Sequence, residues 1–168
     1  MSLVSNLVRT YREPGQVVDD LDRQGLREPQ VLFFGLLACG LIFVAQWPGL
    51  ARAAALDPSV TLEQRMGGAL FAVMFMLPLL LYGVAGLIQL VLRLAGTPVT
   101  GVRVRLALFW ALLSVTPLML LQGGLSGFLG ANPVVTLFGF VVLGSFLYIL
   151  GAGLGRIVRL TRGEVAGQ

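Results

Sequence analysis

The run GALFAVMFMLPLLLYGVAGLIQLVL at residues 68–92 decides how the chain is read. Its 25 residues contain no Asp, Glu, Lys or Arg, yet Pro78 sits near the middle. In a water-exposed helix an interior proline costs about 3 kcal/mol and breaks the helix. Flanks this long and uniform argue against a break. A helix of about 20 apolar residues crosses the roughly 30 Å of hydrocarbon in a bilayer. There, neighbouring helices and hydroxyl side chains restore part of the bonding a proline removes. The reading is therefore a kinked transmembrane helix.

Working outward, three further runs share this character: Val31–Trp47, Leu106–Gln122 and Val134–Gly155, all without charged residues. Across 168 residues, 57% are hydrophobic and 12% charged, with mean hydropathy +0.88. Soluble domains carry about 25% charged residues, so too little polar surface exists to cover a water-soluble globule. None of the runs alternates with period two, as barrel strands would. The expected fold is all-α: an integral membrane four-helix bundle, with a five-span bundle as the alternative, preceded by short amphipathic N-terminal helices. The expected division is an interfacial segment at 1–30, a bundle at 31–158 and a tail at 159–168.

Arginine alone sets orientation, because the chain has no lysine. Arg9, Arg12, Arg23, Arg27, Arg93, Arg103, Arg105, Arg156, Arg159 and Arg162 fall on one side of a four-span arrangement, and Arg52 and Arg65 on the other. The positive-inside rule then places both ends in the cytoplasm. The net charge of +4 is what this topology implies, and it would suit contact with anionic lipid. No basic patch interleaved with aromatics suggests nucleic acid. A cleaved signal peptide ending near "ARAAA" (51–55) fits less well, since its apolar run is too long and starts too late.

Within residues 1–30, Leu3, Val4, Leu7, Val8 and Tyr11 recur at helical spacing before Pro14-Gly15. Val17, Val18 and Leu21 then line one face, with Asp19, Asp20 and Asp22 away from it. Two short helices either lying on the membrane surface or packing on the protein's own helix ends satisfy this pattern. Pro29 is expected to start the first span and Trp47-Pro48 to end it.

Chemistry-bearing residues are sparse. No histidine occurs, which excludes His-based acid–base catalysis and His-ligated metals. No charge lies within a span, where pumps and proton-coupled carriers keep one. "GLSG" (124–127) matches the nucleophile segment of rhomboid-type proteases, but those need a histidine to activate the serine. Ser126 reads as a turn residue. No catalytic residue, cofactor or metal is expected.

The candidate groove residues are Pro78, Tyr82, Ser114, Thr116, Pro117 and Gln122. Pro78 and Pro117 fall at mid-span in antiparallel neighbours, depriving the carbonyls of Met74 and Leu113 of their donors. Ser114 and Thr116 are placed to bond back to Trp110 and Leu112. Tyr82 and Gln122 follow the prolines, each before a glycine. Either the kinks improve packing, or they open a neutral groove between spans two and three. Gly151 and Gly155 form a small-xxx-small pair for close helix packing, within the bundle or between copies.

Several stretches resemble a known family: "YREPGQVVDDL", "LIFVAQWP", "LPLLLYG" and above all "RLALFWALLSVTPLMLL" at 105–121. They look like the bacterial branch of the Yip family, multi-pass proteins named for interaction with Ypt/Rab GTPases. The resemblance spans roughly residues 5–150. It implies a bundle of spans and non-enzymatic binding in membrane organisation. Five spans are usual in that family, and the D-L-Y-G-P segment of its cytosolic N-terminus is absent here. The arginine-only, Ala/Gly-rich composition looks like that of a GC-rich bacterium, so GTPase binding is not carried over. The expected function is a non-enzymatic protein of the bacterial inner membrane, acting through helix–helix or helix–lipid contacts or as an accessory subunit of a membrane complex. Its partners would be lipids, another membrane protein or a second copy. The alternative is a small lipid-handling or transport protein using the proline-kinked groove.

Overall fold

The computed structural model describes the backbone of residues 3–166 and the side chains of residues 3–163. Residues 167–168 of the expected tail lie outside the described residues. Six helices follow in order, and no strand occurs among the described residues. They are α1 (Leu3–Thr10), α2 (Pro14–Arg23), α3 (Glu28–Leu56), α4 (Leu62–Leu94), α5 (Gly101–Leu129) and α6 (Pro133–Ala166). Helices α3 to α6 are long and apolar enough to span a membrane, as the four charge-free runs predict.

Helix α5 is the axis of the bundle. Two-thirds of its most apolar window is buried, against 28% or less for the other three. Its buried stretch from Leu106 to Thr116 meets α3 along one side and α4, α6 and α2 around the rest. With no water to expel between apolar helices in lipid, close backbone approach is what holds such a bundle together. The α3–α5 seam achieves it with small residues. A Cβ on Gly123 would run into the Ala45 carbonyl, and one on Gly127 would lie 2.5 Å from Pro48 Cβ. On Gly35 it would meet the Phe109 ring at 3.0 Å.

Trp47-Pro48 does not end α3. The helix continues to Leu56 with Pro48 inside it. At Pro48 the α3 chain runs close against α5, where Gly127 leaves the room. One turn on, Arg52 Nη1 bonds the Gly127 and Phe128 carbonyls at 3.3 and 3.2 Å, satisfying acceptors at the C-terminal end of α5. Gly130 then turns the chain with φ +70°, a conformation that favours glycine.

Helix α4 absorbs its proline by changing register. Residues Ala72–Met76 form a π turn immediately before Pro78, with Leu77 N–H bonding the Ala72 carbonyl. Such bulges are a recognised cause of kinks.

Helices α1 and α2 form a hairpin packed on the bundle's own helices, the second of the two arrangements open to their amphipathic pattern. Val17, Val18 and Leu21 are buried in the main core, and Leu3 and Leu7 pack against it. Val18 meets the face of α6 at Gly153, where an added Cβ would stand 3.2 Å from its side chain.

Candidate functional site

Charged groups mark the two ends of an apolar slab. At one end Glu28 of α3 faces Arg105 of α5; at the other, Arg52 caps α5. From Glu28 to Arg52 is 24 residues of helix, or about 36 Å at 1.5 Å rise. The interval suits a bilayer core with part of its interface.

The arginine-rich end is built by ion pairs between distant segments. Arg105 Nε lies 2.6 Å from Glu28 Oε1, and its Nη2 donates to Oε2 at 2.8 Å. The guanidinium also stands over the Tyr82 ring of α4, 5.5 Å from its centroid, and the Tyr82 hydroxyl reaches Glu28 at 3.4 Å. Three spanning helices are thus tied at one point. Asp19 of α2 is buried and takes Arg156 of α6 at 2.7 Å and Arg23 of its own helix at 3.0 Å. Those hydrogen bonds, led by that of Arg156, hold the Asp19 carboxyl below its ordinary range despite burial. Asp22 meets Arg103 at 3.0 Å. The three aspartates of α2 were expected to point away from its apolar face; Asp19 instead sits within the packed side, because Arg156 meets it there.

The α1–α2 turn reaches deeper than these pairs. Trp110 Nε1 donates to Thr10 Oγ1 at 3.0 Å in a fully buried contact. The Tyr11 hydroxyl donates to the Ser114 carbonyl. Ser114 lies nine residues beyond Arg105, about 14 Å into the slab. The hairpin turn therefore packs beside the Trp110–Ser114 stretch of α5, beyond the level of the Glu28–Arg105 pair.

The six groove candidates divide. Ser114 Oγ donates to the Trp110 carbonyl at 2.8 Å, as its position predicts. Thr116 Oγ1 donates to Leu113 at 2.8 Å and not to Leu112. Leu113 is the carbonyl that Pro117 leaves without a backbone donor, so the hydroxyl satisfies that group directly. Pro117 itself faces outward, and Pro78 is half-buried. Tyr82 belongs to the Glu28–Arg105 cluster and packs on Phe109 at 5.5 Å between ring centroids. Gln122 lies 13 residues further along α5, about 20 Å away, where its amide bonds the Val135 carbonyl and sits over Gly139 of α6. The structure does not bring Tyr82 and Gln122 together.

Gln122 instead lines a mostly apolar cleft of about 380 Å³ between α3, α5 and α6, with Gln46 and Ser126 as its other polar groups. Gly151 and Gly155 face outward with nothing within 4 Å of an added Cβ; the glycine that packs inside the bundle is Gly153. These two line a second, polar cleft of about 540 Å³ between α6 and the α1–α2 turn, together with Arg12, Tyr148, Arg156 and Arg159.

Sequence reasoning missed that second cleft. Its signals were present in Pro14-Gly15 facing the small residues of α6, but only the docked hairpin assembles them. Among the described residues no group of three His, Cys, Asp or Glu side chains is placed to hold a metal ion. No protein-family model, curated protein or solved structure matches the chain.

Proposed function

We propose that the chain is a non-enzymatic protein of a bacterial inner membrane, working through helix–helix or helix–lipid contacts to organise the membrane or to support a larger membrane complex. The observation that carries this reading is the outward face of α4 and α6. Leu79, Leu80, Leu87 and Leu90 on one helix, and Leu137, Phe140, Leu143 and Leu147 on the other, are all more than half exposed. Contiguous apolar surface of this extent is made to be covered by lipid or by another helix. Meanwhile Asp19, Asp22, Glu28, Arg103, Arg105 and Arg156 are engaged in ion pairs that hold the protein's own elements together. The ten-to-two arginine asymmetry supports placing the arginine-rich end in the cytoplasm. Kinship with the Yip family is part of the proposal and rests on residues 105–121.

Purification in a mild detergent followed by native mass spectrometry tests this reading. The expected spectrum shows a second membrane polypeptide, a second copy or retained lipid at defined stoichiometry. A bare monomer under conditions that preserve known membrane complexes would contradict it.

The second reading, a lipid-handling or transport protein, is favoured by one observation: the apolar cleft with Gln46, Gln122 and Ser126 along its wall. It lies between the first, third and fourth spans, not between spans two and three. Ordered lipid density there, lost in Gln122→Leu, is what this reading requires; an empty cleft in a lipid nanodisc map counts against it.

A further inference from the structure

We propose that the cleft between the α1–α2 turn and α6 holds the phosphate headgroup of an anionic phospholipid, with Arg12 and Arg159 as its principal cationic ligands. Three observations converge on it. The first is a cavity of about 540 Å³ whose wall includes Arg12, Arg156 and Arg159. The second is charge balance. Arg156 is engaged by Asp19, and Glu13, which also lines the cleft, by Arg9, whereas Arg12 and Arg159 make no ion pair among the described residues. The third is depth. Tyr148, on the same wall, lies eight residues from Arg156, about 12 Å further into the slab. The turn carrying Arg12 stands beside it, next to Trp110 and Ser114. Arg12 and Arg159 are both exposed, so their guanidiniums are open to a counter-charge approaching from outside.

An anionic headgroup drawn to the arginines supplies that counter-charge. Arg159 and Arg156 sit toward the arginine-rich end, where headgroups lie. The outward surface at Gly151 and Gly155 carries no side chain to obstruct an acyl chain descending past the Tyr148 ring. Guanidinium matches phosphate oxygens in paired hydrogen bonds. Free phosphate shares the headgroup's chemistry, but a soluble anion would not use the apolar approach along α6.

This inference rests on the reading of the chain as membrane-embedded. It is tested with the purified full chain in a neutral detergent, by native mass spectrometry with added phosphatidylglycerol or phosphatidylcholine. Phosphatidylglycerol should bind preferentially, and the double variant Arg12→Gln/Arg159→Gln should lose about twenty-five-fold in affinity, at about five-fold per arginine. Arg93→Gln, at the same end but outside the cleft, should leave the preference intact. Gly155→Trp, which obstructs the cleft without changing charge, should also weaken binding. Equal binding of the two lipids, or phosphatidylglycerol binding unchanged in the double variant, would overturn the proposal. Thermal stabilisation by inorganic phosphate matching that by phosphatidylglycerol would overturn the lipid assignment. Loss of headgroup preference with a protein partner still bound would refute this site alone and leave the wider functional reading standing.

Discussion

Trp110 and Thr10, 100 residues apart, share a buried hydrogen bond of 3.0 Å from the indole N–H to the threonine hydroxyl. That hydroxyl in turn donates to the Asn6 carbonyl at 2.7 Å within α1. The pair therefore couples the largest fully buried side chain of the bundle axis to the internal bonding of the first helix. Together with the Tyr11–Ser114 bond it ties the hairpin turn to α5.

Thr10→Val removes the acceptor and leaves the indole N–H buried without a partner, at a cost of about 1–3 kcal/mol. Thr10→Ser keeps the bond. The hairpin should open more often in the valine variant, so trypsin cleavage at Arg12 and Arg23 should accelerate roughly five- to a hundred-fold. The serine variant should resemble the parent. Equal cleavage rates in all three would show that the bond does not hold the hairpin.

Glycine substitutions separate the seam from the outward face. Gly123→Leu forces a side chain into the Ala45 carbonyl of α3 and should cost more than about 3 kcal/mol or prevent folding. Gly151→Ala and Gly155→Ala meet nothing within 4 Å and should leave thermal stability of the monomer unchanged or slightly raised. Thermal unfolding in one detergent reports all three. A tolerated leucine at 123 would contradict the α3–α5 seam.

Thr116 and Pro117 should be coupled energetically. With Pro117 present, Thr116→Val strips the Leu113 carbonyl of its hydroxyl donor. With Pro117→Ala, the backbone N–H returns and the hydroxyl is redundant. A double-mutant cycle should give a coupling of about 1 kcal/mol, within the range of hydrogen bonds inside membrane proteins. Additive single effects would mean that the hydroxyl does not compensate for the proline.

Acid should loosen the hairpin through Asp19. Its carboxyl titrates below the ordinary 3.8, chiefly because Arg156 and Arg23 bond the charged form. A lowered native value means that the contribution is fully present above about 3.8 and is lost as pH falls through the native value. Thermal stability followed by Trp110 fluorescence should therefore drop below about pH 4 in the parent. In Asp19→Asn stability should be lower at neutral pH, with a shallower acid-induced fall. Parallel pH profiles for the two would dissociate Asp19 from acid sensitivity.

The spans were legible because a charge-free run of 17 to 25 residues has few alternatives to crossing a membrane. The compensation of Pro117 by a neighbouring hydroxyl was legible too, since Ser and Thr reach back along the same helix; only the acceptor differed, Leu113 in place of Leu112. Continuation of α3 past Pro48 was not legible, because the α5 surface it runs against, at Gly127, belongs to another helix. The separation of Tyr82 from Gln122 was hidden for a similar reason. Both follow a proline in sequence, but Tyr82 is drawn to Glu28 and Arg105, and Gln122 to α6. Helical periodicity showed that α1 and α2 bury a face; it could not show that Asp19 would be buried with it, since the reason is Arg156, 137 residues away.

The central claim is that the N-terminal hairpin is docked against α6 within the membrane-embedded bundle. Disulfide trapping of Gly15→Cys with Ala152→Cys tests it most directly, in native membranes and in a background where Cys39 is replaced by alanine. A Cβ at position 15 would stand 3.3 Å from the Ala152 carbonyl, close enough for a bridge with modest adjustment. With a protease site placed in the 57–60 loop, mild oxidation should leave the two fragments joined until a reductant is added. Fragments that separate without reductant, while a control pair at Gly49→Cys and Ser126→Cys stays joined, would contradict the account.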